Sequence, residues 1–401
     1  MRRTSTGKSG HRAPARDRPR TDLDGRYPEI PGFEKYMSSG IESNGGTSLL
    51  ARARGLYRGR LRRLANGKAT SVRGGAGSEA SSTPVFFVTG LGKSGTRWLT
   101  KILDSHPEIL CKGEGRFFSA GWHRADLGPE NDRALASSLY YALEHSDHLR
   151  LWIERSVWSR NDDPDEHLKA LMRLATDYFL TSQLSETDKI LVGDKSPLQD
   201  EEFMREVSEV YPVAKVIHII RDGRDRTVSS MHRGWRRANQ GYLHRLTAEE
   251  LARGEALRED PKKLVQTGEG MFKEERLRQA ARHWRLLVGR AIQDGQALIG
   301  SNYTEVRYED LLVRPNEEVE RLLGFLGADA DPKIVEHCVD SASFEKLSRG
   351  RERGEEDPSS FYRKGVAGDW RNHFTAEDSR SFKEEAGELL IQLGYEKDLD
   401  W

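Results

Sequence analysis

The 401-residue chain reads as an α/β protein: a P-loop-like, doubly wound, mostly parallel sheet flanked by helices, preceded by a disordered N-terminal extension. Three observations predict this. Short apolar, β-branched runs recur along residues 84–401, and helical periodicities separate them. The first run also passes through a glycine-rich turn straight into a helix.

The first run is VFFVT from Val85, bounded by Pro84 and Gly90, and it predicts a buried parallel strand. The helix that follows is expected over Thr96–Asp104, with Trp98, Leu99, Ile102 and Leu103 on one face and Pro107 as the stop. A short strand-like ILC (109–111) comes next. Further strands are predicted at KILVG (189–193), KVIHII (215–220) and YTEVR (303–307), with helices over 165–184, 276–293 and 316–326. The polar, weakly periodic 236–275 reads as an insertion or a lid.

Composition divides the chain in two. Residues 1–83 hold 17 Lys+Arg against 7 Asp+Glu, which leaves 47 against 57 for 84–401, so a net charge of zero hides a basic tail and an acidic body. The tail is rich in Gly, Ser, Arg and Pro and is expected to be disordered, with 84–401 as the folded domain. Within it, Leu49–Leu64 predicts a short basic helix suited to weak contact with an anionic surface. The basic start has no apolar stretch behind it and does not read as a secretory signal. No apolar run of membrane-spanning length is present, and two cysteines, Cys111 and Cys338, make no disulfide framework, so a cytoplasmic location is expected. Nucleic acid is not an expected partner.

The turn after the first strand, Gly90 to Trp98, carries the chemistry. Gly92 and Gly95 let backbone N–H groups approach an anion, Lys93 adds a full charge, and Ser94 and Thr96 add hydroxyls at a helix N-terminus. A nucleoside-triphosphatase loop needs a glycine where Phe87 stands, and no magnesium-binding partner for Ser94 is evident. Arg221 lies at a strand's carboxyl end with Ser229 eight residues on; read alone, this is either a phosphate clamp or a salt-bridged turn. Asp222 and Asp225 are placed to orient the arginines. A third element, Arg363-Lys364-Gly365, puts two cations and a permissive backbone in one loop, with Asp369, Trp370 and Asn372 expected to fix that loop to the body.

In this order the elements resemble the sulfotransferases that use 3′-phosphoadenosine 5′-phosphosulfate. Lys93-Ser94-Gly95-Thr96, with Arg97 and Trp98, is similar to that family's 5′-phosphosulfate loop. Arg221 and Ser229 are similar to its 3′-phosphate site, and Arg363-Lys364-Gly365 with Gly368-Asp369-Trp370 to its C-terminal nucleotide loop. Tyr308-Glu309-Asp310-Leu311 is also similar, and there the tyrosine lies near the adenine. The resemblance covers about 85–375 and implies in-line sulfuryl transfer without a metal. The Lys-x-His motif of the cytosolic small-molecule members is missing after the first helix; ILCKGEGRFF is instead similar to the glycan and tyrosylprotein branches, which implies Glu114 as general base. Lys112 and Arg116 are placed to lower its pKa, while burial would raise it. His106, His123 and His232 are the fallbacks. A cation is needed where charge grows on the leaving oxygen, which suits Lys93; Lys195, in GDKSP after the third strand, is the second candidate, either facing the sulfuryl group or paired to Asp194.

The acceptor stays open among carbohydrate, peptide tyrosine, lipid and small metabolite. Phe117, Phe118, Trp122, Trp152, Trp158 and Tyr178 would suit a sugar or phenol, but most are expected in the core. The competing readings are a P-loop kinase-like phosphotransferase, which requires magnesium, and a non-catalytic nucleotide-binding member.

Overall fold

The computed structural model describes residues 84–119, 138–240, 246–259 and 270–401. The tail 1–83 with the Leu49–Leu64 helix, as well as Trp122 and His123, lies outside the described residues.

Five strands, β1 (Val85–Leu91), β2 (Ile109–Gly113), β3 (Leu191–Leu198), β4 (Lys215–Ile220) and β5 (Tyr303–Arg307), form one parallel sheet in the order β2-β3-β1-β4-β5. The strands are apolar because both faces are covered. Phe87 packs into one core with Val216 and Trp284, while Phe86 and Val88 face a second with Leu99, Ile217 and Leu322. After β1 the chain winds to β2 and β3 on one side, then crosses to β4 and β5 on the other. The winding direction therefore reverses between β1 and β4, which opens a crevice at the carboxyl ends of those two strands.

The helices follow as α1 (Thr96–Asp104), α2 (Leu139–Glu144), α3 (Asp147–Arg155), α4 (Pro164–Leu184), α5 (Phe203–Val210), α6 (Gly223–Ala238) and α7 (Ala248–Glu259). They continue as α8 (Glu274–Asp294), α9 (Tyr308–Val313), α10 (Pro315–Leu326), α11 (Pro332–Ser341), α12 (Phe344–Ser348) and α13 (Ala376–Gln392). The expected α1, β4 and β5 match to the residue.

Three expectations need correction. The third strand does not stop at Gly193: it starts at Leu191 and stays paired with β1 through Leu198, so Lys195 is in the strand rather than after it. The apolar run ends at Gly193 because polar residues take over toward the carboxyl edge, while the backbone ladder continues. Second, Trp152, Trp158 and Tyr178 are exposed, not core; α3 buries Ile153 and α4 buries Leu168, Met172, Thr176 and Leu180, which turns the large aromatics outward. Phe117 and Phe118 are buried as expected. Third, the described part of 236–275 is not a loose insertion. α6 runs on to Ala238, and α7 packs on it through Trp235, whose indole donates to the Glu250 carbonyl at 2.7 Å.

Candidate functional site

Parallel strands deliver their carboxyl ends to one edge, so the loop after β1, Glu114 after β2, Arg221 after β4 and Tyr308 after β5 all arrive there. At the β1/β4 crevice lies a cleft of about 800 Å³. Lys93, Gly95, Thr96, Arg97 and Trp98 from the first loop line it, together with Arg221, Ser229 and Tyr308. Arg363, Lys364 and Gly365 close it from the C-terminal strap. Elements as far apart in sequence as Lys93 and Gly365 thus share one cavity.

The first loop holds a tight turn, with Ser94 N–H donating to the Leu91 carbonyl at 3.0 Å. Lys93 (φ 79°) and Gly95 (φ 100°) both adopt left-handed backbone. Only a glycine fits at the second: a β-carbon there would lie 2.6 Å from the Tyr308 ring. α1 starts at Thr96 with no side-chain cap; Trp98 N–H donates to the Gly95 carbonyl at 2.9 Å, and the N–H groups at the very start of the helix are of the kind that suits an anion. The Ser94 hydroxyl is buried and has no hydrogen-bond partner.

Arg221 ties the three elements together. Its guanidinium donates to the Lys93 carbonyl at 3.3 Å and to the Val366 carbonyl at 3.2 Å, and it stacks 4.4 Å from the Tyr308 ring centre. Asp225 lies 3.8 Å away, and Trp284 donates to the Arg221 carbonyl at 3.1 Å. The Nε of Arg221 remains buried and unpartnered. A buried donor on a charged group is costly unless a ligand accepts from it. Ser229 follows two turns along α6 from Asp222 and faces the same cleft. Trp98 anchors α1 by donating to the Ala342 carbonyl at 2.9 Å, with its ring edge-on to Tyr308.

The strap differs from expectation in what locks it. Asp369 does not reach the body; it binds Arg363 and, at 2.7 Å, Lys364. Burial opposes its charge, but hydrogen bonds from His373, Arg363 and Lys364 hold its carboxyl far below the usual range. The attachment to the body comes from Asp225, which accepts from Gly368 N–H at 2.7 Å and Trp370 N–H at 2.8 Å. Trp370 stacks on Arg224, which also pairs with Asp222.

Sequence reasoning missed Phe361. Its ring lies 4.4 Å from Lys93 Nζ, 4.3 Å from Arg97 and 5.6 Å from Arg236, so one aromatic face gathers three cations. It stands one residue before the motif that began at Tyr362, and no spacing rule would have included it. Leu312, Phe344, Leu347 and Arg353 also line the cleft and were not foreseen; Phe344 and Leu347 come from a short helix that the sequence analysis did not single out.

Glu114 and Lys195 do not line the cleft. They form an ion pair of 2.6 Å, with Glu114 just past the end of β2 and Lys195 in the middle of β3. Lys195 sits beside Gly113 in register, and its side chain passes so close to the Gly113 backbone that a β-carbon there would lie 2.7 Å from Lys195 Cε. Lys195 is thus paired to Glu114, not to Asp194, which instead accepts from Gly115 N–H and the Ser196 hydroxyl. The hydrogen bond from Lys195 holds Glu114 below the ordinary carboxylate range against the opposing effect of burial, and the charges of Arg97 and Arg116 add to it. Lys112, expected to help, donates to Gln183 instead. Lys93 is pushed down to about 7, first by burial and then by Arg236, Arg221, Arg233 and Arg363. Of the fallback histidines within the described residues, His106 is buried and bonded to the Asp329 carbonyl, and burial drives His232 down to about 2. Among the described residues, no group of three or more His, Cys, Asp or Glu could hold a metal ion, and no helix is long and apolar enough to cross a membrane. Both cysteines are buried and free.

Fold and cleft together define an α/β protein with a crevice lined by lysines and arginines where its sheet reverses direction. Comparison with known proteins agrees. A sulfotransferase family model matches residues 84–260 and a sulfotransferase domain model matches 203–394, which jointly span most of the described body. The chain belongs to the sulfotransferase family. It is 33% identical to sulfotransferase 1C2 of Homo sapiens over 86 residues, covering 19% of this chain and 29% of that protein. With sulfotransferase 1A1 of Rattus norvegicus the identity is 29% over 113 residues, 22% of this chain and 39% of that one. The chain thus matches about a third of the length of these curated relatives. Among solved structures, mouse sulfotransferase SULT7A1 complexed with PAP is 16% identical, with 77% of this chain and 84% of that chain covered at a TM-score of 0.41.

Proposed function

We propose that the protein transfers a sulfuryl group from 3′-phosphoadenosine 5′-phosphosulfate to a hydroxyl or amine of an acceptor. The observation that carries this reading is Arg221: one guanidinium bridges the phosphate loop and the C-terminal strap while its Nε stays buried without a partner. The Ser94 hydroxyl, on the loop that Arg221 joins, is likewise buried without a partner. Two orphaned donors, one on the loop and one on Arg221, fit a ligand with two anionic ends, as a nucleotide phosphorylated at both the 3′ and 5′ positions has.

In this reading the N-terminus of α1, with Ser94 and Thr96, holds the 5′ end, while Arg221 and Ser229 hold the 3′-phosphate. Arg363, Lys364 and Gly365 cover it, and the adenine packs among Tyr308, Leu312, Phe344 and Leu347. Phe361 must swing away from Lys93 and Arg97 when the anion arrives, because it stands on the same cations. The donor supplies an activated sulfuryl group. Lys93 faces the bridging oxygen, where negative charge grows as the sulfur–oxygen bond to the nucleotide phosphate breaks and the bond to the acceptor oxygen forms. Glu114 takes the acceptor's proton, and Lys195 positions its carboxylate and keeps it ionised at neutral pH. A glutamate base is the finer part of this proposal and favours a carbohydrate or peptide acceptor.

The test is transfer of radiolabelled sulfuryl from the donor to a panel of glycans, phenols, lipids and tyrosine peptides, in EDTA. Transfer supports the reading. Turnover of ATP strictly dependent on magnesium, with no sulfuryl transfer, would replace it with a phosphotransferase.

A further inference from the structure

The segment after α12 is built to present one side chain at the cleft. Arg349 (φ 66°), Gly350 (φ 98°) and Gly354 (φ 99°) turn the backbone through left-handed conformations, which bring it against the strap. Arg351 latches the turn there: its guanidinium donates to the Glu355 and Arg363 carbonyls, both at 2.8 Å, and to the Tyr362 carbonyl. Gly354 N–H donates to the Lys364 carbonyl at 2.9 Å. The residue between these anchors, Arg353, lines the cleft together with Leu312, Phe344 and Leu347. Its Nη1 donates to the Leu312 carbonyl at 3.1 Å, and its guanidinium carbon lies 5.9 Å from the centre of the Trp98 ring.

Arg353 differs from the other arginines of the cleft. Arg363 pairs with Glu356 and Asp369, Arg221 faces Asp225 at 3.8 Å, and Arg97 rests on Phe361. Arg353 has a backbone carbonyl and a ring as its contacts, and no ion pair with a carboxylate, among the described residues. It also stands apart from the phosphate-loop cations. The charges felt most at Lys93 are those of Arg236, Arg221, Arg233 and Arg363, whereas Arg353 is felt at the Tyr308 phenol. Its surroundings are thus the apolar and aromatic end of the cleft, where the donor's base packs in the reading above. A guanidinium is planar and weakly hydrated, so it stacks on aromatic faces and on nucleobases. An ammonium carries the charge without the plane. The Leu312 carbonyl tethers the Arg353 fork at that end.

We infer that Arg353 stacks its guanidinium on the adenine of the donor and is a base-recognition residue of the cleft, separate from the cations that hold the phosphates. This rests on the donor assignment above. The test is a calorimetric titration of the full chain and of the Arg353→Leu and Arg353→Lys variants. Two ligands are used: adenosine 3′,5′-bisphosphate, and 1,2-dideoxyribose 3,5-bisphosphate, which keeps both phosphates and has no base. The baseless compound is measured by displacement of the nucleotide. Arg353→Leu is expected to lose about fivefold or more in affinity for the nucleotide, the size of a lost cation–π contact, with its affinity for the baseless compound within about twofold of normal. Arg353→Lys keeps the charge and loses the plane, so it is expected to lose about threefold or more for the nucleotide alone. Full nucleotide affinity in either variant, or an equal loss for both ligands, overturns the inference alone. Absence of adenosine 3′,5′-bisphosphate binding in the unmodified chain overturns the donor assignment and this inference with it.

Discussion

Lys93 is the residue on which donor chemistry and electrostatics meet. Burial and four arginines lower its pKa to about 7, so near pH 8 it is largely neutral while the cleft is empty. An anion beside it raises that pKa again. Binding of adenosine 3′,5′-bisphosphate at pH 8 is therefore expected to take up a proton, visible as a dependence of calorimetric enthalpy on buffer ionisation heat. Lys93→Met should abolish the uptake as well as transfer, and unchanged uptake would remove Lys93 from the site. Glu114 has the opposite shift, because Lys195 hydrogen-bonds it and holds it ionised. Glu114→Gln is expected to cut turnover by roughly 10²-fold or more with bisphosphate affinity near normal; a loss confined to affinity would assign it to binding. At Gly95, alanine meets both the left-handed backbone and the Tyr308 ring. Gly95→Ala is expected to cost at least about 1 kcal/mol in denaturant unfolding and to weaken nucleotide binding.

Among the elements, the C-terminal strap is held to the body by Asp225, by Arg221 at the Val366 carbonyl and by Trp370 on Arg224. Asp225 accepts two backbone N–H groups, from Gly368 and Trp370, and faces Arg221. Asp225→Ala leaves the buried Trp370 N–H and the part-buried Gly368 N–H without an acceptor and removes the counter-charge, so a loss of about 2 kcal/mol of stability and a severe loss of nucleotide affinity are expected; normal affinity would show that the strap seats itself without it. The inner strands were legible because they are buried and mostly apolar, as VFFVT and KVIHII are, while YTEVR at the sheet edge is only partly buried and was legible from its β-branched and aromatic residues. Legibility failed where function enters the ladder: Asp194 and Lys195 are polar strand residues, so the apolar run ended before the strand did. The motif residues of the cleft were readable because glycine, lysine and arginine carry recognisable chemistry at fixed spacing. Phe361 was not, since a phenylalanine in a loop is indistinguishable from packing until three cations are seen around it.

For the whole molecule, the sheet's reversal between β1 and β4 explains why distant segments converge, and it makes the cleft a property of the assembled fold rather than of any one motif. Glu309 joins that assembly: it accepts from Asp222 N–H at 3.1 Å and the Tyr395 hydroxyl at 3.0 Å, linking α9, α6 and the segment after α13. Burial raises its pKa to about 7. A carboxyl raised on folding stabilises the protein fully below the unfolded value of about 4.5 and loses that contribution as pH rises through 7. Glu309→Gln is expected to flatten the fall in thermal stability between pH 4.5 and 7, and an unaltered slope would place the titration elsewhere. Residues 1–80 are proposed to be dispensable: a chain lacking them should melt and bind nucleotide as the full chain does.

The most direct test of the central claim is a calorimetric titration of the full chain with adenosine 3′,5′-bisphosphate in EDTA, beside the Arg221→Ala variant. The account predicts one-to-one binding by the unmodified chain and its loss in the variant, whose guanidinium joins loop, strap and nucleotide. No binding by the unmodified chain, or equal binding by both, would contradict it.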